Sequence, residues 1–157
     1  MNKKTAFRSL LNSLVILSVL VVTFLLPSSA LAAPACSGNG CNYQDPYAMR
    51  CAGSGASYGV VATKNIYDAG TNRYLGYVQL WWSYTCKTNW SRTVATVSNS
   101  SIETYVISGN NSDWEHNWNG GNELHSMMFY APTTKSQACG AISGDGYSSN
   151  DVCTVWK

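Results

Sequence analysis

This sequence predicts an all-β fold: a small disulfide-stabilised barrel or sandwich of about six to seven short antiparallel strands. Three observations point there. Short runs rich in Val, Ile, Tyr and Trp recur between Gly-, Asn- and Ser-rich stretches, which is the punctuation of strands and turns. Beyond residue 32 no segment sustains an apolar repeat of helical period. All six cysteines lie beyond a stretch laid out as a cleavable export signal, and an even count in a short exported chain reads as a disulfide framework.

The chain opens on that signal. Lys3, Lys4 and Arg8 form a basic start, Leu14 to Leu26 an apolar centre, and Ala30-Leu31-Ala32 a small-residue cleavage site. The expected organisation is a signal peptide over 1–32 and a single disulfide-bonded all-β domain over 33–157, secreted and extracellular. The apolar run is shorter than the roughly 20 residues that span a bilayer, so no membrane association is expected after cleavage. Lipid attachment at Cys36 is disfavoured, because Ala33-Pro34-Ala35 lacks a large aliphatic residue and an odd five cysteines would remain. Taking Lys3, Lys4 and Arg8 away leaves seven basic against eight acidic residues, net −1. The remaining basic residues are scattered and form no stripe to neutralise phosphates, which excludes nucleic acid as a partner. One domain's length without linker, heptad or repeat points to a monomer.

Strands are expected in order along this domain. Tyr58 to Lys64 and Tyr74 to Tyr84 are joined by turn chemistry at Asp68-Ala69-Gly70-Thr71-Asn72 and read as a hairpin. In the second run Val78, Leu80, Trp82 and Tyr84 share one face, taken as the core side, and Tyr77, Gln79, Trp81 and Ser83 the other. Further strands are expected at Arg92 to Val97, Ile102 to Ser108, Leu124 to Tyr130, Ala138 to Ile142 and Val152 to Trp156. Gly109 to Glu123 has no strand pattern and reads as a long loop carrying Trp114 and Trp118. A helical turn there would put both indoles on one face.

Local geometry favours Cys139 with Cys153 on the last hairpin, Cys36 with Cys41 around a Gly-containing loop, and Cys51 with Cys86 tying the N-terminal region to the sheet. No C-x2-C spacing occurs, so no metal site is expected, and no cofactor motif is present.

Function is less legible. Asp113, Glu115, His116, Glu123 and His125 concentrate carboxylates beside imidazoles, the ingredients of a general base. They come without an H-E-x-x-H or G-x-S-x-G pattern, and a hydrolase is the least favoured class. His125 reads as a surface or satisfied core histidine, Asp45 before Pro46 as a turn-former, and Trp90-Ser91-Arg92 as an Arg packed on an aromatic or paired with an acid. A charge-poor domain rich in Trp, Tyr, Asn, Ser and Gly suits a non-catalytic binding module, whose aromatics stack on sugar rings while amides and hydroxyls take hydrogen bonds. The residues expected to carry it are Trp114, Trp118, Trp81, Tyr77 and Tyr105. The expected partner is a cell-wall or extracellular glycan, or an extracellular protein. The alternative class is a secreted effector or inhibitor, displayed on a rigid disulfide scaffold.

A resemblance runs beside this reading. Cys36-Ser37-Gly38-Asn39-Gly40-Cys41, Asp45-Pro46, Cys51-Ala52, Tyr84-Thr85-Cys86, Trp90-Ser91-Arg92 and Met128-Phe129-Tyr130-Ala131-Pro132, in that order, resemble the YjfA-like family of secreted bacterial domains of unknown function. It covers most of the chain beyond the signal. It implies one exported domain and a bacterial source, and carries over no catalytic residue.

Overall fold

The hairpin from Tyr58 to Ser83 forms where the alternation places it, and the rest of the sheet structure is built on it. The computed structural model describes residues 33–118 and 120–157; the signal expected over 1–32 lies outside the described residues. Ten strands follow a short 3-10 turn at Gly38–Cys41: β1 (Tyr58–Tyr67), β2 (Tyr74–Ser83), β3 (Thr88–Ala95), β4 (Ser101–Ser108), β5 (Asn111–Asn117), β6 (Glu123–His125), β7 (Phe129–Tyr130), β8 (Ser136–Gly144), β9 (Tyr147–Ser148) and β10 (Val152–Cys153). They make two antiparallel five-stranded sheets. One runs β1-β2-β3-β6 with β7 also on β3, the other β10-β8-β4-β5 with β9 also on β8. Two open sheets packed face to face make a sandwich and not a closed barrel.

The strand count exceeds the expectation for physical reasons. Leu124 to Tyr130 is not one strand, because β6 ends at His125 and β7 begins at Phe129. Between them Ser126 Oγ accepts the Ser91 N–H at 3.0 Å, and the Asp113 carboxylate accepts the Met127 N–H at 2.7 Å, so side chains interrupt the ladder. Within the expected loop Gly109 to Glu123, residues Asn111–Asn117 form a strand. Gly109, at φ 59°, and Asn110 turn the chain, and β5 pairs with β4 from Ser108↔Asn111 to Ile102↔Asn117. β3 begins four residues before the expected Arg92, at Thr88.

The space between the sheets is filled by Ile66, Leu75, Val78, Leu80, Ile102, Val106, Phe129, Ala138 and Ile142. Hydroxyls share it. Thr104 Oγ1 lies 2.6 Å from Ser91 Oγ and accepts from Thr93 Oγ1 at 2.9 Å, and Ser136 donates to Ser108 at 3.0 Å. Ser91 and Thr93 meet Thr104 across the two sheets, and Ser136 meets Ser108 within the second sheet, so these buried hydroxyls satisfy one another in a partly polar core. Val78 and Leu80 face this core as expected. Tyr84 does not: it lies past the end of β2 and is 52 % exposed, while Trp82 is half-buried at the open end of the sandwich.

A second apolar cluster lies on the outer face of the first sheet. Trp90 and Met128, both fully buried, support Cys41, Cys51, Ala52 and Cys86. The N-terminal segment is thereby a cover over this face. It is held by the Cys51–Cys86 bridge and by backbone hydrogen bonds between Tyr43, Gln44 and Met128. All three expected disulfides form: Cys36–Cys41, Cys51–Cys86 and Cys139–Cys153.

Candidate functional site

β5 is the edge strand of the second sheet, and its side chains alternate between the core side and the outside. Its cross-strand partners decide which is which. Asp113, Glu115 and Asn117 stand opposite Val106, Thr104 and Ile102, all buried, so they take the core side. Trp114 and His116 stand opposite Tyr105 and Glu103 on the outer face. Trp118 follows one residue beyond the strand and stacks on His116 with ring centroids 3.4 Å apart and planes 20° from parallel. Trp114 meets the same imidazole edge-on at 5.4 Å. No helical turn forms; both indoles instead meet at His116, Trp114 from within β5 and Trp118 from just beyond its end.

Trp114 is 55 % and Trp118 74 % exposed. The His116 side chain between them is only 5 % exposed; its Nδ1 lies 3.4 Å from a Glu103 carboxylate oxygen, and neither ring nitrogen is hydrogen-bonded among the described residues. It acts as a spacer that fixes the two indoles. Tyr105 extends the strip across β4, and its hydroxyl donates to Asp151 at 3.2 Å. Partial burial, then the Asp151 charge and that hydrogen bond, raise the Tyr105 phenol above its ordinary pKa. The next neighbour in the row is Cys139, bridged to Cys153 on β10. The result is a row of aromatic rings on a cross-linked sheet, with carboxylates of Glu103 and Asp151 at its margin. Such a surface can stack on the apolar face of a sugar ring and accept hydrogen bonds from its hydroxyls.

Two of the five expected ligand residues belong elsewhere. Tyr77 and Trp81 lie on β2, opposite Val94 and Trp90, on the outer face of the first sheet. That is the far side of the sandwich from the β5 strip. Trp81 stacks on Trp90 (6.0 Å, 17°), tilts against Tyr58 (5.5 Å), carries the Arg92 guanidinium at 5.9 Å and donates to Gln79 at 3.2 Å. It supports the edge of the N-terminal cover. The sequence lists aromatics without saying which sheet face a covering segment will occupy, and this split is the consequence.

The acid and imidazole groups also sort into structural ties. Arg92 pairs with Glu123, as its reading as a packed or paired Arg anticipates. His125 Nε2 lies 2.9 Å from Asp45 Oδ2 and packs edge-on against Tyr47. Asp45 Oδ1 accepts the N–H groups of Tyr47 (2.8 Å) and Ala48 (2.7 Å), the turn-forming role expected of an acid before Pro46. Glu115 is held above its ordinary pKa by partial burial and by the Asp113 charge, against a smaller opposing pull from His125. The Asp45–His125 contact joins residues 80 apart in sequence, which no local motif signals.

Partial burial works against ionisation of Asp45, but the Ala48 N–H, the His125 hydrogen bond and charge and the Tyr47 N–H outweigh it, so its pKa is lowered. A depressed carboxyl pKa stabilises the fold above the unfolded-state value and loses that contribution as pH falls through the folded one. Asp45→Asn is therefore expected to lower the thermal midpoint at neutral pH, and the gap to the parent should close below about pH 4. A gap that stays constant from pH 7 to about pH 2.5 would refute this assignment.

The Sγ atoms of Cys36, Cys41, Cys51 and Cys86 lie within 4.8 Å of one another. Joined as two disulfides, they offer no thiolate to a metal. Together with Cys139–Cys153 they give the domain three disulfides, a feature typical of extracellular proteins. Fold and site thus define a class: a disulfide-bonded antiparallel β-sandwich with an exposed aromatic strip on an edge strand. Beyond that class, no family model, no curated protein and no solved structure matches the chain.

Proposed function

We propose that this protein is a secreted, non-catalytic binding module of the YjfA-like kind that holds a cell-wall or other extracellular glycan on the Trp114–His116–Trp118 strip. One observation carries the reading: two large indoles stand exposed on the outer face of a sheet, held in place by a buried imidazole, on a domain with little net charge. Soluble domains leave such aromatics uncovered where a partner covers them. Export is part of the proposal, supported by the signal-like N-terminus and the three disulfides.

Co-sedimentation of the purified, oxidised protein with cell walls and insoluble polysaccharides tests it. The parent protein is expected in the pellet, and Trp114→Ala/Trp118→Ala is expected to bind at least about tenfold more weakly. Both side chains are exposed, so the variant should keep its unfolding midpoint. Equal retention of parent and variant, or no retention on any solid, would overturn the reading and direct attention to a soluble protein partner.

A further inference from the structure

The alternation that sends Val78 and Leu80 into the core carries Trp82 to the open end of the sandwich, directly across from Asn89. Tyr84 follows in the turn, its ring perpendicular to the indole (89°) at 6.4 Å. A cleft of about 370 Å³ opens there, walled by these three residues together with Thr133, Lys135 and Lys157. Both lysines border the cleft, and Ser136 and Lys157 exchange both backbone hydrogen bonds there, at 2.8 and 3.0 Å. No acidic side chain lines the cleft among the described residues, and neither lysine is in an ion pair with one. Asn89, 5 % exposed, brings a side-chain amide into the wall. An aromatic corner, a buried amide and two unpaired cations are complementary to a ligand with a flat apolar face, hydroxyls and a negative charge.

We infer that this cleft is a second binding site, for an acidic saccharide. The sugar ring lies against Trp82 and Tyr84, its carboxylate sits between the Lys135 and Lys157 ammonium groups, and Asn89 and Thr133 take its hydroxyls. The site shares no residue with the β5 strip, so the two can fail separately.

Calorimetric titration of the purified, oxidised protein with a galacturonic acid trisaccharide tests it, with the methyl ester of the same trisaccharide as the uncharged match in shape. The acid is expected to bind at least about tenfold more tightly than the ester, and Lys135→Glu to weaken the acid by about tenfold while leaving the ester unchanged. Tyr84→Ala should weaken both, by about threefold or more. Trp114→Ala/Trp118→Ala should bind the acid as the parent does. Absence of binding, equal affinity for acid and ester, indifference to Lys135→Glu, or loss in the Trp114→Ala/Trp118→Ala variant would each overturn the inference. Competition by inorganic phosphate at the same concentration as the sugar would also overturn it, since the cleft would then hold any anion.

Discussion

Replacing Cys51 and Cys86 together by alanine is expected to cost about 4 kcal/mol of stability, against about 3 for the Cys139–Cys153 bridge and about 2 for Cys36–Cys41. The order follows from the loops closed, 35, 14 and 5 residues in sequence separation, since a longer loop loses more entropy when its ends are joined. The location adds to it. Cys51–Cys86 is the covalent tie between the N-terminal cover and the first sheet, and both sulfurs sit in the buried cluster around Trp90 and Met128. Without it the cover is held by the Gln44–Met128 backbone pairing, the Asp45–His125 contact and packing. Both cysteines must change at once, because a lone Cys51 thiol would lie near Cys36, whose Sγ is 3.7 Å away, and could exchange into the neighbouring bridge. Urea denaturation of the three double variants measures the order, and limited proteolysis reads where the chain opens. Cleavage within residues 33–57 while the sheets remain intact is the expected pattern. A loss no larger than that for Cys36–Cys41 would show that packing and not the bridge holds the cover.

What could be read from the sequence, and what could not, divides along burial. β2 and β4 announce themselves because Val78 and Leu80, or Ile102 and Val106, alternate with half-buried residues, and one-sided burial imposes a period of two. β5 gives no such signal. It is an edge strand whose core side carries Asp113, Glu115 and Asn117, so polar residues occupy both faces and only Trp114 and His116 mark the period. Cys36–Cys41 and Cys139–Cys153 close short loops and were legible from spacing, whereas Cys51–Cys86, 35 residues apart, is a long-range tie between the N-terminal region and the sheet. The candidate site was legible in part. Trp114, Trp118 and Tyr105 meet on one face, but only β4–β5 pairing reveals it, and Tyr77 and Trp81 fall on the opposite side because the sequence does not say which face the N-terminal segment covers. Contacts such as Asp45–His125 arise from the way the sheets and their cover assemble, and local periodicity has no access to them.

Gly76→Ala is the single substitution expected to damage the fold most, by about 3 kcal/mol or more. Gly76 lies inside β2, opposite Ile66 on one side and Ala95 on the other, at a register shift in the β1–β2 pairing. A Cβ built there would stand 2.0 Å from the Val94 carbonyl oxygen and 2.7 Å from Ile142 Cδ1 of the facing sheet. The first contact is with backbone. It cannot be relieved by a rotamer change, so β2 and β3 would have to separate or the register shift would have to be remade. The second contact is with the end of a flexible side chain and is the cheaper to relieve. A double-mutant cycle separates them: Ile142→Val removes the Cδ1 contact and is expected to recover only a minor part of the loss, because the carbonyl contact persists. Gly59→Ala, in β1 with nothing within 4 Å of its added methyl, serves as the control and should change stability by no more than about 0.5 kcal/mol. Recovery of most of the loss by Ile142→Val would place the constraint in the side-chain packing between the sheets. A loss that Ile142→Val leaves largely intact would place it in the backbone approach of β2 and β3, where the absence of a side chain at Gly76 lets the strand bend.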